Sequence, residues 1–159
     1  LQQESEVMPE SALILIRVAT PGDAPALLAL CRQLGFELSA AQLQQNLRQI
    51  LEHPDKTVLV GVGEDNKPLA WVALELRALL EMPPMVEITG FVVDEAVRGH
   101  RVGNLLLAAA EGWAKARGVH ALFLRSNTIR HEAHHFYLRQ GYCVTKTQHV
   151  LVKQLPEQA

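Results

Sequence analysis

Apolar residues along this chain switch repeatedly between strand-like runs and helical spacings. Leu13–Val18 is a short β-branched run that predicts a strand. The Thr20–Asp23 segment then supplies capping residues for a helix that we expect to continue to Leu34 and to end at Gly35. Strands and helices that alternate in this way predict an α/β domain.

The next segment predicts a helix followed by two strands. Ser39 is suited to cap this helix, and Pro54 marks its far end. The apolar residues that share one side of the helix are Leu43, Leu47, Ile50 and Leu51. Residues 57–62 and 69–76 predict strands, and the polar turn Glu64–Lys67 between them favours an antiparallel hairpin.

The prolines of Met82–Pro84 interrupt the strand pattern. After them the sequence predicts a strand, a glycine-containing loop and the start of a helix. Val86–Val93 predicts the strand, and Arg98–Gly103 forms the loop. The N–H groups of a first helical turn and the positive end of the helix dipole attract a pyrophosphate, and glycine lets such a ligand approach the backbone. The alternative is a tight turn with solvated arginines.

The helix after this loop is predicted to end at Gly118. Its predicted apolar face consists of Val102, Leu105, Leu106, Ala109, Ala110, Trp113 and Ala116. Residues 121–125 predict another strand, and His131–Gln140 predicts a short helix. The chain closes with a predicted hairpin of Tyr142–Thr145 and His149–Lys153.

The order and spacing of these motifs resemble the GNAT family of N-acetyltransferases. The resemblance rests on the Arg-x-x-x-x-Gly loop, the helix after it, the next strand and the sequence Ala-x-x-Phe-Tyr-x-x-x-Gly-Tyr that ends at Tyr142. It covers Leu13–Leu155 and is strongest from Val86 to Tyr142. The segment from Asn127 to Tyr137 is most similar to the aminoalkylphosphonate N-acetyltransferase branch.

Two positions depart from the family pattern. Arg101 stands where a glycine is common, and Arg130 stands where many members carry an asparagine. Asn127 lies one turn earlier than that position and either takes over a cofactor contact or caps the following helix.

The resemblance implies one GNAT domain over residues 13–155, after a flexible tail at residues 1–12. Its fold is α/β (α+β): a mixed, mostly antiparallel sheet of six or seven strands with helices on both faces, splayed near Val92. Acetyl-CoA is the implied co-substrate. The implied contacts to it come from Phe91, Val92, Val93, Arg98, Gly99, His100, Arg101, Val102, Gly103 and, on one alternative, Asn127.

The implied reaction is direct attack of a primary amine on the thioester of acetyl-CoA. Tyr137 occupies the family's position for the general acid that protonates the departing thiolate. Glu87 is a candidate base, directly or through water, although a glutamate on an alternating strand is also a common solvent-facing residue. A small-molecule amine is the expected acceptor. A protein or peptide acceptor, and a sensor that binds acetyl-CoA without turnover, remain alternatives.

The composition argues against two classes of binding partner, nucleic acids and membranes. A net charge of −2 without a basic stripe argues against nucleic acid. No apolar run approaches the length of a membrane span, so we expect no membrane partner. Cys31 and Cys143 lie in apolar patterns, which favours two buried, reduced thiols and a cytoplasmic location. Many members of the family that the sequence resembles dimerise, so a homodimer is one alternative, and no interface can be assigned from the sequence.

The histidines of the last helix formally match a zinc-protease pattern. His131, Glu132 and His135 satisfy His-Glu-x-x-His, in which two histidines one turn apart hold the metal. The match sits in a short helix near the end of the chain, where a third ligand is hard to place. We therefore expect no catalytic metal, and contact with the substrate is an alternative role for these histidines.

Overall fold

The computed structural model describes residues 13–99 and 101–158. Its chain groups into two compact units that divide between Arg125 and Ser126. The described elements of the first unit are β1 (Leu15–Val18), α1 (Ala24–Gln33), α2 (Ala40–Glu52), β2 (Lys56–Val62), β3 (Pro68–Leu79), β4 (Met82–Val93), α3 (Val102–Lys115) and β5 (Leu122–Leu124). The second unit contains α4 (His131–Arg139). The predicted tail, residues 1–12, and His100 lie outside the described residues.

Helix boundaries in the first unit follow the capping residues. The Oγ of Ser39 accepts the N–H of Gln42 at 3.1 Å and so begins α2. Gly35, just after α1, has a φ of +82°, the left-handed conformation that commonly ends a helix. The predicted start of α2 and the predicted end of α1 are therefore confirmed.

The strands form one mixed sheet. Within the described residues it has five strands in the order β1-β2-β3-β4-β5. The first three pairings are antiparallel, and the β4–β5 pairing is parallel. The predicted class, mixed and mostly antiparallel, is confirmed. The predicted count of six or seven strands is wrong for the part of the chain that the structure describes.

The missing strands belong to the predicted closing hairpin. Neither Tyr142–Thr145 nor His149–Lys153 is a strand, and Val150 and Val152 are exposed. Alternating apolar residues favour extended backbone. A strand forms only where a neighbouring strand pairs with its backbone N–H and C=O groups. The pattern was present in this segment without the ladder that it predicts.

Helices pack on both faces of the sheet, as predicted. Along β2, Val60 and Val62 belong to a buried apolar cluster with Leu27 of α1 and Leu47 of α2. Gly61, between them, faces the opposite side because side chains alternate along a strand. A Cβ at Gly61 would lie 3.1 Å from Val102 of α3. One face of the sheet therefore carries α1 and α2, and the other carries α3.

The fourth strand begins earlier than the sequence suggests. Met82 already pairs with Leu79, although Pro83 and Pro84 were expected to keep this segment out of the sheet. At this point the described β4 has only β3 beside it, and the β3–β4 register is irregular between Arg77 and Leu79. Proline is tolerated at such edges and irregularities because no ladder hydrogen bond is required of its nitrogen.

Candidate active site

Strands β4 and β5 stop pairing half-way along β4. Their parallel pairing covers residues 86–88 of β4 and 122–124 of β5, after which β5 ends and β4 continues to Val93. A bulge at Thr89 shifts the β3–β4 register at the same point, since Ala73 pairs with Gly90 and Leu74 with Ile88. Bulges commonly occur next to active sites, where they redirect side chains. The predicted ligand-lining residues 91–93 lie on β4 just beyond this point.

An indole ring covers the bulged part of β4. Trp71 of β3 is the cross-strand partner of Val92, and its ring lies against the Cα of Gly90. A Cβ on Gly90 would lie 2.6 Å from two ring carbons of Trp71, a distance that real side chains do not adopt. The close approach of Trp71 therefore requires glycine at position 90.

The loop after β4 is tied to the end of α1. The side-chain amide of Gln33 donates to Asp94 Oδ1 at 3.1 Å, and its oxygen accepts the N–H of Glu95 at 3.0 Å. Asp94 Oδ1 also accepts the N–H of Ala96, which begins a short 3-10 helix at Glu95–Val97. These bonds hold the backbone that leads into the predicted anion loop.

The predicted anion loop ends at the first turn of α3. Gly99 has a φ of +85°, and an added Cβ there would meet no atom of the described residues within 4 Å. Val102 is 1% exposed and Gly103 is buried, so their predicted contact with acetyl-CoA stays a prediction. First-turn N–H groups and two nearby arginines suit a pyrophosphate.

Arg101 adopts a backbone conformation that favours glycine. It is the N-cap of α3 and has a φ of 66° and a ψ of 0°, in the left-handed region. This is the position at which the GNAT resemblance expects a glycine. The chain thus follows a path suited to glycine with an arginine in place, at a cost of about 1 to 2 kcal/mol.

Glu87 is a buried carboxylate held by two arginines. It is 5% exposed and lies on β4, on the sheet face that carries α1 and α2. Arg77 of β3 donates from Nη1 to Glu87 Oε2 at 2.5 Å. Arg125, just after β5, donates from Nε and Nη2 to Glu87 Oε1 at 3.1 and 2.9 Å. The alternative that Glu87 is a solvent-facing residue is therefore wrong, while its role as a base stays a prediction.

Sequence reasoning missed both arginines of this cluster. Arg77 lies near the end of the apolar run of β3, and Arg125 follows that of β5 directly. Each side chain thus emerges from a strand next to the one that carries Glu87. A charge at the end of a predicted neighbouring strand was the available signal, but the strand order needed to use it is a property of the fold.

The second unit contains Tyr137. Its ring packs edge-on against Phe136 and Tyr142, with centroid distances of 5.4 and 5.7 Å. Burial raises the pKa of Tyr137 above its usual value near 10, against the lowering effect of the positive charge of Arg130. The phenol therefore remains protonated at neutral pH, as a proton donor must.

Asn127 closes a local turn within the second unit. Its Oδ1 accepts the N–H of Ile129 at 3.2 Å. The carbonyl oxygen of Asn127 lies 3.0 Å from Nε2 of His134, which must be the donor because a carbonyl only accepts. The side-chain oxygen thus has a structural use ahead of α4, and the predicted cofactor contact of Asn127 stays a prediction.

A model of the acetyltransferase (GNAT) family matches residues 25–142, most of the chain. The chain belongs to the GNAT acetyltransferase family. It is therefore an acyltransferase, and acetyl-CoA is the co-substrate typical of the family.

Two curated relatives of this GNAT acetyltransferase are named for small amines. The aminoalkylphosphonate N-acetyltransferase of Salmonella typhimurium is 30% identical over 144 residues, covering 89% of this chain and 91% of the relative. The aminoglycoside N(6')-acetyltransferase type 1 of Stenotrophomonas maltophilia is 28% identical over 145 residues, covering 89% and 92%. The first relative supports the branch that the sequence resembles.

A solved structure of this GNAT group confirms the fold. The aminoglycoside N-acetyltransferase AAC(6')-Iy in complex with CoA has a TM-score of 0.82 with this chain at 14% identity. The match covers 93% of this chain and 99% of that one. At this identity the likeness concerns the fold alone.

The remaining sequence predictions concern metals, thiols and membranes. Within residues 13–99 and 101–158, no group of three or more histidine, cysteine or acidic side chains could hold a metal ion. Both cysteines are free; Cys31 is half-buried, which raises its pKa, but Cys143 is exposed, so the expectation of two buried thiols is wrong for Cys143. No helix of the described GNAT chain has the length and apolar character to cross a membrane.

Proposed function

We propose that this GNAT acetyltransferase transfers the acetyl group of acetyl-CoA to the primary amine of a small molecule, with Tyr137 as general acid. The observation that carries the proposal is the continuous stretch 87–103. It joins a buried carboxylate, a bulged strand that outlasts its neighbour and a glycine loop at a helix start. Along such a stretch, the carboxylate can accept a proton, the strand can bind the thioester and the loop can bind the pyrophosphate.

The proposed reaction begins with the amine. Its nitrogen forms a bond to the thioester carbon, and backbone N–H groups of β4 at residues 91–93 stabilise the oxyanion that develops. Three of about four lone-pair positions of the Glu87 carboxylate accept hydrogen bonds from arginines, which leaves one for the amine proton or a bridging water. Glu87 can therefore accept the proton that the amine loses.

Tyr137 supports the second half of the reaction. As the bond between carbon and sulfur breaks, the phenol donates its proton to the departing thiolate. A phenol is a weaker acid than a thiol, with reference pKa values of about 10 and about 8.5. Donation is therefore expected while charge develops on sulfur rather than after the thiolate is free.

Three further expectations belong to this proposal. The family match spans the division between the two units, which supports their acting as one acetyltransferase domain over residues 13–155. The two free cysteines support a cytoplasmic location. A small amine, without nucleic acid or a membrane, is the proposed partner, because both curated relatives are named for small amines.

The test is release of CoA thiol, followed with a thiol-reactive dye. Wild type and Tyr137→Phe are assayed with aminoalkylphosphonates, aminoglycosides, polyamines, amino acids and peptides. Release that depends on a small amine and falls in Tyr137→Phe supports the proposal. Release of CoA thiol with peptides alone would contradict a small-molecule acceptor and support a protein or peptide acceptor. Binding of acetyl-CoA by calorimetry without any release leaves the sensor alternative.

A further inference from the structure

The Arg77, Glu87 and Arg125 side chains form a cluster with more positive than negative charge. Two guanidinium groups share one carboxylate. The neighbouring ion pair, Lys56 with Glu75 at 3.9 Å, adds one charge of each sign. Glu75 lies directly opposite Glu87 across the β3–β4 pairing, so the ion pairs are adjacent on one sheet face. Three cations against two carboxylates leave one positive charge in excess.

Hydrogen-bond donors of both arginines remain after these contacts. Arg77 uses Nη1, and Arg125 uses Nε and Nη2, while no other side-chain hydrogen bond of either residue occurs among the described residues. A guanidinium group has five N–H donors and matches the oxygens of carboxylates and phosphate-like groups in pairs. The side chains of Arg77 and Arg125 are 30% and 61% exposed, so a ligand can reach them.

The burial of Glu87 explains how these donors are held in place. Its side chain is 7% exposed, and its two oxygens bind one arginine each. A fixed carboxylate between two guanidinium groups lowers the entropy that each arginine loses when it binds an anion. The cluster also begins on the same strand as the bulge, three residues before Gly90.

We propose that Arg77 and Arg125, held by Glu87, bind the oxyanion of an acidic amine that serves as acetyl acceptor. The inference rests on the proposed function and narrows its substrate class. An acceptor with an amine at one end and a phosphonate or carboxylate at the other matches the guanidinium groups and the remaining lone pair of Glu87. Polycationic acceptors such as aminoglycosides are disfavoured by the excess positive charge.

The test compares acceptors that differ in charge. CoA thiol release gives kcat/KM for 2-aminoethylphosphonate, β-alanine, n-propylamine and an aminoglycoside, with wild type, Arg125→Gln and Arg125→Lys. We expect wild type to favour the acidic amines. The ratio of kcat/KM for 2-aminoethylphosphonate to that for n-propylamine should fall about tenfold or more in both variants, because one charged, paired contact is lost. The preferred acid, phosphonate or carboxylate, follows from the first two acceptors.

A matched control separates the cluster from overall charge. Arg48 on α2 is exposed and makes no side-chain hydrogen bond among the described residues, so Arg48→Gln changes the net charge equally and should leave the ratio unaltered. Thermal unfolding of each variant checks the fold, since Arg77 still pairs Glu87 when Arg125 is replaced. An equal fall of kcat/KM for acidic and neutral amines in Arg125→Gln would assign the cluster a purely structural role and overturn the proposal.

Calorimetry tests the binding of the anion by Arg77 and Arg125 separately from acetyl transfer. 2-Aminoethylphosphonate is titrated into the CoA-bound wild type and Arg125→Gln. If no amine is acetylated but the phosphonate binds and Arg125→Gln weakens it about tenfold, the anion site stands and acetyl transfer to these acceptors fails. If neutral and acidic amines are acetylated equally well, acetyl transfer stands and the anion site is refuted.

Discussion

The indole ring of Trp71 on β3 lies diagonally across Gly90 on β4 and leaves no room for a side chain at position 90. An alanine Cβ there would lie 2.6 Å from two carbons of the indole ring. Gly90→Ala must therefore displace the ring or bend the bulged strand. We expect it to lower the free energy of unfolding by about 1 to 3 kcal/mol, measured by urea denaturation.

The same contact can be isolated with a double-mutant cycle. In a Trp71→Leu background the ring is gone, so the added methyl group of Gly90→Ala should cost much less. An equal cost in both backgrounds would show that the β4 backbone, rather than the indole, excludes a side chain.

Arg101 combines a strained backbone with a charge, and two substitutions separate these properties. Arg101→Ala removes the charge and keeps the left-handed conformation at a φ of 66°, whereas Arg101→Gly removes the charge and relieves the strain. We expect the glycine variant to be more stable than the alanine variant by about 1 kcal/mol in urea denaturation.

Both Arg101 variants should bind acetyl-CoA more weakly than wild type by calorimetry, and to a similar degree, because both lose the guanidinium group. Wild-type affinity in the two variants would remove Arg101 from the co-substrate contacts and leave its side chain without a role there.

Tyr137→Phe tests the general acid. It keeps the ring contacts with Phe136 and Tyr142 and removes only the hydroxyl. We expect kcat to fall about 100-fold to 10,000-fold with little change in the KM for acetyl-CoA. Tyr142→Phe removes a hydroxyl from the neighbouring ring and serves as the matched control; an equal fall of kcat in both variants would argue against a specific role for Tyr137.

The pH dependence gives an independent check on Tyr137. Burial raises its pKa above 10, and the protonated phenol is the active form, so its proton is retained through neutral and moderately alkaline pH. Activity should therefore show no loss from Tyr137 ionisation below about pH 10. An alkaline decline centred below that pH in wild type but absent in Tyr137→Phe would contradict this assignment.

The Asp23 carboxylate makes the free energy of unfolding depend on pH. Its two oxygens accept from Arg17 at 2.8 and 2.9 Å, and it is 7% exposed. The hydrogen bond from Arg17 is the main reason that the pKa of Asp23 lies below its usual value. A carboxylate with a lowered pKa stabilises the fold above its unfolded pKa of about 3.9, and this contribution is lost as the pH falls through the folded value.

Asp23→Asn should therefore lower the free energy of unfolding by about 2 to 3 kcal/mol at pH 7, and by less at pH 3, in urea denaturation. Asp55→Asn is the control, because Asp55 is exposed and its side chain makes no hydrogen bond among the described residues. A difference between wild type and Asp23→Asn that stays constant from pH 7 to pH 3 would contradict the linkage.

Local interactions explain why the helices were predictable. The Ser39 cap, the left-handed Gly35 and the turn at Glu64–Lys67 each act within a few residues, and each occurs where the sequence places it. The segment from Arg98 to Tyr142 was recognisable for the same reason, since the family pattern is a spacing along the chain. None of these features depends on which distant segment lies nearby.

The rotation of α3 shows where such reasoning ends. Leu105, Ala109 and Ala116 were expected on its buried face. Leu105 and Ala109 are half-buried and Ala116 is exposed, whereas Leu107 and Ala114, which were not predicted there, are buried. The helix is apolar on several sides, so its hydrophobic pattern allows more than one orientation. Packing against the sheet, with Val102 opposite Gly61, selects one of them.

The sequence by itself determined the helices, most strands and the GNAT family, because caps, turns, periodicity and motif spacing are properties of neighbouring residues. The tertiary structure decided the surroundings of Glu87, where an arginine on β3 and another just after β5 meet one buried carboxylate. It also decided that the closing hairpin residues form no strands. Both outcomes depend on which distant backbone groups and charges become neighbours, and no local pattern carries that information.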